Sequence, residues 1–335
     1  MRKIISSILL CLTIGLVSLG HQTSIAAAAS KYGIHILHPG ELSAAKVLLS
    51  GQAGYGANDW HYVTIPLSLA DTEKKDEWQK FFTQAHELKL IPLVRLVSEF
   101  DGKNWRIPDR KETVKLIDFV SEFVWPTDDR YIIVFNEVNH AAEWGGQLSP
   151  ENYIESLAFA SQWARTQSPP LKILPAALDL AAPNGSNTLD AFTFWKAVYA
   201  ADPDFFSYLD GWNSHSYPNP GFISPPTYGG RDGLAGFEQE QAFLRELAGA
   251  AFSDRNLPIF ITETGWKSTY STERHLPAYY KYAMWHVWSA PEVTAVTPFL
   301  LQGEPGPFAQ FGFVDAAGNP TAQYRAFQAA LDGSR

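Results

Sequence analysis

The sequence predicts a single-domain α/β fold, a (β/α)8 barrel of the TIM type, on three observations. Short apolar runs recur along the chain with amphipathic stretches between them, the pattern of repeated βα units around a parallel sheet. Two of those runs, Tyr131-Ile132-Ile133-Val134-Phe135-Asn136-Glu137 and Pro258-Ile259-Phe260-Ile261-Thr262-Glu263, each close on a glutamate. The C-terminal ends of barrel strands are where this architecture places reactive groups. Once an N-terminal leader is set aside, about 305 residues remain, close to the length of one barrel.

The chain opens with Arg2 and Lys3, an apolar run from Ile4 to Leu19, and the small-residue stretch Ala26-Ala27-Ala28-Ala29-Ser30. Residues 1–29 read as a secretory signal cleaved after Ala28 or Ala29, and the apolar run is shorter than the roughly 20 residues a membrane span needs. A secreted or periplasmic protein, free of the membrane after cleavage, is expected, with residues 30–335 as its one domain. The only cysteine, Cys11, lies inside the leader. The mature domain therefore has no disulfide, no cysteine–metal site and no cysteine nucleophile. Twenty-six basic against 35 acidic residues give a formal charge of −9, and loss of Arg2 and Lys3 makes it more negative. Nucleic-acid and anionic-membrane partners are disfavoured.

Eight strands are expected, near Gly33–Leu37, Tyr62–Pro66, Leu90–Leu96, Tyr131–Glu137, Lys172–Leu178, Tyr208–His215, Pro258–Glu263 and Val296–Leu301. Between the second and third, Asp71 is a candidate N-cap for a helix whose Trp78, Phe81, Phe82, Ala85 and Leu88 share one face. Similar patterns cover Glu112–Phe123, Pro150–Thr166, Leu189–Tyr199, Glu238–Ala251 and Thr272–Ser289, with a weaker one at Ser43–Leu49. Long loops rich in Pro, Gly and Tyr follow the sixth and eighth strands, at Pro218–Gly236 and Gln302–Gly312. Such loops crowd the catalytic face of a barrel.

Period-two alternation puts Ile133, Phe135 and Glu137 on one face of the fourth strand and Ile259, Ile261 and Glu263 on one face of the seventh. If those faces point inward, two carboxyls rise from one cleft. That is the minimal equipment for cleaving a glycosidic bond, since one carboxyl must carry a proton for the leaving oxygen while the other, ionised, attacks the anomeric carbon. The sixth strand adds His215 and Tyr217 on one face, and Arg95 closes the run Pro92-Leu93-Val94-Arg95, where it could hold Glu263 ionised or bind a sugar hydroxyl. Among 11 tryptophans, Trp60, Trp105, Trp144 and Trp266 fall in loops or just beyond strands. Trp144 and Trp266 each follow a glutamate-bearing strand, so they are the candidates for stacking on a sugar ring. Core packing fits Trp78, Trp163 and Trp195.

The runs Phe135-Asn136-Glu137-Val138-Asn139 and Ile261-Thr262-Glu263-Thr264-Gly265-Trp266 resemble the signatures of the retaining glycoside hydrolases of clan A. The resemblance implies Glu137 as general acid/base, Glu263 as nucleophile, and Asn136 as a hydrogen-bond partner of the substrate 2-hydroxyl. It also implies roles near the nucleophile for His215 and Tyr217. Arg95 lies on the third strand, whereas the clan's supporting arginine is commonly on the second. Val138 stands where a proline usually follows the Asn-Glu pair. The eighth strand lacks the clan's tryptophan, leaving Phe299 or Gln302 in its place. The expectation is a secreted, monomeric, cofactor-free and metal-free glycosidase acting on a β-linked oligo- or polysaccharide. Two rivals remain on the sequence: a metal-dependent barrel using Glu137, Asp179, His215 and Glu263, and a secreted carbohydrate-binding barrel without activity.

Overall fold

A computed structural model describes residues 29–333 apart from 52–53 and 55–57. The segment read as a secretory signal lies, up to residue 28, outside the described residues. Among the described residues eight strands follow in chain order: β1 (Ile34–His35), β2 (His61–Leu67), β3 (Leu90–Leu96), β4 (Tyr131–Val134), β5 (Lys172–Pro175), β6 (Trp212–His215), β7 (Ile259–Glu263) and β8 (Val293–Val296). Between and after them run the helices α1 (Leu42–Leu49), α2 (Lys75–Glu87), α3 (Arg110–Ser121), α4 (Pro150–Thr166), α5 (Ala191–Ala201), α6 (Gly236–Ala248), α7 (Ala250–Ser253), α8 (Leu276–Tyr282) and α9 (Ala322–Gly333). Each strand is thus followed by a helix. Among the described residues, no helix is long and apolar enough to cross a membrane.

All strand pairings are parallel, in one ladder of β1 to β5 and a second of β6 to β8. The two ladders meet at two seams. At one, Tyr32 bridges Val296 and the Gly33 amide donates to the Val296 carbonyl at 2.8 Å. At the other, Asp179 bridges His215 and the Asp210 amide donates to the Ile173 carbonyl at 2.9 Å.

The strands sort their side chains by period two. Tyr62, Ile91, Leu93, Tyr131, Ile133, Leu174, Phe260 and Ala295 fill the barrel interior. Val63, Ile65, Val94, Ile132, Ile173, Trp212, Ile259 and Ile261 face the helices in the larger core. Above the apolar interior lies a buried polar tier. Thr64 and Thr297 share a hydroxyl contact at 2.7 Å, Thr297 donates to the Thr262 carbonyl at 2.9 Å, and Thr262 donates to Asn213 Oδ1 at 2.7 Å. Asn213 in turn donates to the Pro175 carbonyl at 3.1 Å. Every member has a partner, as burial demands.

Several expected boundaries shift for identifiable reasons. β4 stops at Val134 because Phe135 turns to φ +73°, and Glu137 follows at φ +35°; left-handed backbone ends a strand. Phe135 consequently joins the outer core beside Trp144 instead of sharing the face of Ile133. On β7 the interior residue is Phe260, and Ile259 and Ile261 face outward, opposite to expectation. Glu263 still reaches the interior, because the β6–β7 register slips between Ser214 and His215, pairing His215 with Glu263 and leaving Thr262 as the extra residue. Such a bulge re-aims the side chain after it.

Asp71 does not cap α2. It accepts from the Ser68 amide at 2.9 Å within a 3-10 turn over Leu69–Glu73. Residues Phe205–Tyr208 form a 3-10 turn, so β6 begins at Trp212. β8 lies earlier than expected, since Pro298 has no N–H to continue a ladder. The stretch 272–289 breaks into a 3-10 turn, α8 with Pro277 in its first turn, and a π turn over Ala283–Val287. α9 has no counterpart in the sequence reading.

Candidate active site

A cleft of about 570 Å³ opens at the C-terminal ends of the strands, with Glu137 and Glu263 both on its surface. One carboxylate oxygen of each, together with a ring nitrogen of His215, lie within 4.8 Å of one another. Glu137 is carried by the left-handed turn after β4, whose geometry is fixed by its amide donating to the Ala177 carbonyl at 3.0 Å. Its side chain is one-quarter exposed and Oε1 contacts His215 Nδ1 at 2.8 Å.

Glu263 is set differently. It is buried, and Arg95 from the end of β3 makes an ion pair with Oε1. The Tyr217 hydroxyl donates to Oε2 at 3.0 Å, while His215 Nδ1 and His35 Nε2 lie 3.8 Å away on either side. Burial works to raise the pKa of this carboxyl, but His215 and Arg95 outweigh it and hold Glu263 down at about 2. Burial by itself would lower the His215 imidazole; the Glu263 and Glu137 carboxylates reverse that and leave it raised. Tyr217 is pushed well above its usual range by burial and by Glu263, so it stays a donor.

Arg95 also donates to Asn136 Oδ1 at 2.7 Å, which leaves the Asn136 amide nitrogen with only a long 3.4 Å contact to Glu143. Phe299 lines the cleft, its ring 5.1 Å from that of His35, whereas Gln302 points its amide at the Glu304 carbonyl. Trp144 lines the cleft but is only 1% exposed, packing on Phe135 and Tyr153. Trp266 is not brought into the site. It is buried among Tyr279, Tyr280 and Trp288, and its indole donates to the Ser224 carbonyl at 2.8 Å. The apolar strand end that suggested a stacking platform instead feeds a core residue. Trp105 lines the cleft, and Trp60 packs under the apolar interior near the strand starts.

Several residues in the cleft or packed against Glu263 carry little individual signal in the sequence. His35 lies on β1 with both ring nitrogens buried and unpartnered, and burial together with Arg95 drives its pKa to about 3. Its one sequence mark is a polar residue inside an apolar run. Glu143 is raised to about 7, first by burial and then by Glu137. Phe222, Phe308 and Phe311 form an aromatic wall with Tyr217 and Phe299. They come from the two long loops flagged for their composition.

Glu137, His215 and Glu263 form the one cluster among the described residues whose donor atoms could surround a metal ion. The set fits a metal poorly. The Arg95 guanidinium already neutralises Glu263 and would oppose a second cation beside it. Asp179, the fourth member of the metal reading, is paired instead with His140 at 2.9 Å.

No family model matches the sequence, and no curated protein matches it. Solved structures do. A family 39 glycoside hydrolase from the gut symbiont Bacteroides cellulosilyticus WH2 superposes with a TM-score of 0.61 at 17% identity, covering 91% of this chain and 64% of that one. A GH5_18 enzyme from Streptomyces cattleya, in complex with Manβ1-4GlcNAc, gives 0.62 at 15% identity over 92% of this chain and 81% of that one. An endo-β-1,4-glucanase from Xanthomonas axonopodis pv. citri gives 0.57 at 14% identity over 90% and 99%. This chain spans just under two thirds of the first of these. The fold is the (β/α)8 barrel that these glycoside hydrolases share.

Proposed function

We propose that the protein is a retaining glycoside hydrolase acting on β-linked glycosides, with Glu263 as nucleophile and Glu137 as general acid/base. The observation that carries this reading is the pair itself: two carboxylates with oxygens within 4.8 Å, one of them buried and held ionised. That spacing suits direct attack; inversion needs roughly 6.5–9.5 Å to admit water between the groups. Glu263 attacks the anomeric carbon, the glycosidic C–O bond breaks, and the proton on Glu137 passes to the leaving oxygen. Water then adds to the glycosyl ester, Glu137 takes its proton, and Glu263 leaves as carboxylate. Tyr217 and Arg95 stabilise the returning negative charge. Asn136 supplies a donor at the sugar, and Phe299 with Phe311 an apolar surface for its ring.

The test is release of sugar from a panel of β-glucan, mannan, xylan and galactan oligosaccharides, with and without EDTA. Glu263→Ala is expected to lose at least about 10⁴-fold in kcat, in the range removal of a covalent nucleophile produces. Azide added to that variant with an activated aryl glycoside should give a glycosyl azide of inverted configuration. Wild-type turnover abolished by EDTA, or Glu263→Ala as active as wild type, would sink the assignment. We further place the enzyme outside the cytoplasm on the leader at residues 1–29; N-terminal sequencing of exported protein should begin near Ser30.

A further inference from the structure

The cleft has two unlike walls. Loops after β6 and β8 supply aromatic rings, Tyr217, Phe222, Phe299, Phe308 and Phe311, on the side of Glu263. Loops after β4 and β5 supply the polar Glu143 and Asp179, alongside Phe135 and Trp144, on the side of Glu137. In the proposed mechanism the ring being attacked sits over Glu263 and the leaving oxygen faces Glu137. The polar wall is therefore where the leaving group lies.

Asp179 is the built part of that wall. Its backbone is clamped by the buried Asn139, which donates to the Asp179 carbonyl at 3.0 Å and accepts from the Asp179 amide at 3.1 Å. Asn139 also donates to the Leu189 carbonyl at 2.9 Å, tying in the next loop. The carboxylate takes the Ala181 amide on Oδ1 at 2.8 Å and His140 Nε2 on Oδ2 at 2.9 Å. His140 is itself fixed to the acid/base turn, its amide donating to the Glu137 carbonyl at 2.8 Å. Each carboxylate oxygen can accept a further hydrogen bond, and the side chain is 29% exposed to the cleft. The partners hold it ionised despite burial, and the aspartate bond raises His140 in turn.

We propose that Asp179, oriented by His140, accepts hydrogen bonds from the hydroxyls of a sugar in the leaving-group position, so that the substrate is a saccharide chain and not a glycoside with an apolar leaving group. This rests on the glycosidase reading above and deepens it. Asp179 contacts the substrate; His140 is a positioning residue. A carboxylate bonded to a sugar hydroxyl makes a charge-assisted contact, and its loss should cost about 10–100-fold in kcat/KM.

The test compares two substrates of the same glycone sugar, chosen from the panel that wild type cleaves: the disaccharide or trisaccharide, and the phenyl glycoside. Phenol needs the proton from Glu137 but offers no hydroxyls to Asp179. Asp179→Ala and Asp179→Asn are each expected to lower kcat/KM on the saccharide at least about tenfold more than on the phenyl glycoside. His140→Gln should move the same ratio in the same direction by less. Asp179→Asn keeps the side-chain shape, so it remains informative if the alanine variant fails to fold. Equal losses on both substrates, or no loss on either, overturn the inference while leaving the glycosidase reading intact. If wild type cleaves no member of the panel, the glycosidase reading falls, and the inference with it.

Discussion

Removing the Arg95 guanidinium would leave Glu263 buried with His215, Tyr217 and His35 as its remaining neighbours. A charge stripped of its partner in the interior is costly, so Arg95→Met should destabilise the fold by about 3 kcal/mol, read from a urea midpoint at neutral pH. The same change should be visible in catalysis. In the proposed mechanism Glu263 must be ionised to attack, and with Arg95 gone its pKa rises from about 2. The acid limb of the kcat/KM profile then moves to higher pH. In the wild type, a depressed carboxyl contributes stability that is present above the ordinary carboxylate range and is lost as pH falls toward about 2. His215 runs the opposite way: its contribution is present below the ordinary imidazole value and is lost as pH rises through the raised one. Tyr217→Phe deletes one donor and keeps the ring, so kcat should fall about tenfold or more with little change in Tm. An acid limb in Arg95→Met that coincides with wild type would refute this account of Glu263.

At the scale of elements, α3 and α6 offer clean tests because neither supplies a group to the cleft. α3 begins with a reciprocal cap, the Asp109 carboxylate accepting from the Glu112 amide at 2.8 Å and Glu112 accepting from the Asp109 amide at 2.9 Å. Asp109→Ala should cost about 1 kcal/mol of stability, measured by denaturant melt. Glu240 on α6 is fully buried against β6, bonded to Ser214, with the indole nitrogens of Trp195 and Trp212 nearby but without a full hydrogen bond to it. Burial raises it to about 8, so the folded state holds a proton that the unfolded chain has lost. Stability therefore falls as pH rises from the ordinary carboxylate range to about 8. Glu240→Gln should be more stable than wild type at pH 9 by on the order of a few kcal/mol and much closer to it at pH 5; urea midpoints that differ equally at both would reject the idea. Elements were legible where a residue's chemistry speaks for itself: β3 and α4 appear with their expected ends, and Arg95, Glu137 and Glu263 show as charges closing apolar strands. The inward face of β4, with Ile133, was legible; the inward face of β7 and the path by which each strand end reaches its glutamate were not. A positive φ at Phe135 and a one-residue slip at Thr262 set those paths, and neither is written in side-chain identity. Glu143 and His35 escaped for a related reason, since a carboxyl or imidazole acquires its perturbed pKa from neighbours brought together by closure of the barrel.

At the scale of the molecule, the proposed catalytic pair is divided between the two ladders. Glu137 follows β4 in the five-stranded one, and Glu263 ends β7 in the three-stranded one. Arg95, on the first ladder, reaches across to Glu263, and His215, on the second, reaches back to Glu137. The working distance is thus set by how the seams hold the halves together. The seam between β1 and β8 depends on Gly33, where a Cβ would meet the Tyr62 carbonyl oxygen at 2.1 Å and Thr297 Cγ2 at 2.9 Å. Backbone cannot yield as a side-chain tip can, so Gly33→Ala must push β1 away from β2 or from β8. We expect a loss of roughly 1–3 kcal/mol, the usual cost of overpacking an interior. Because His35, two residues on, hydrogen-bonds through its amide to the Pro298 carbonyl and lies beside Glu263, the displacement should pass into the site. A misplacement near 1 Å can cost about 10²-fold in rate. Gly33→Ala should accordingly lower kcat at a temperature where the variant is still fully folded, while Asp109→Ala, remote from both seams, lowers stability with kcat unchanged. A Gly33→Ala protein with wild-type melt and wild-type kcat would show that the seam does not set the catalytic distance.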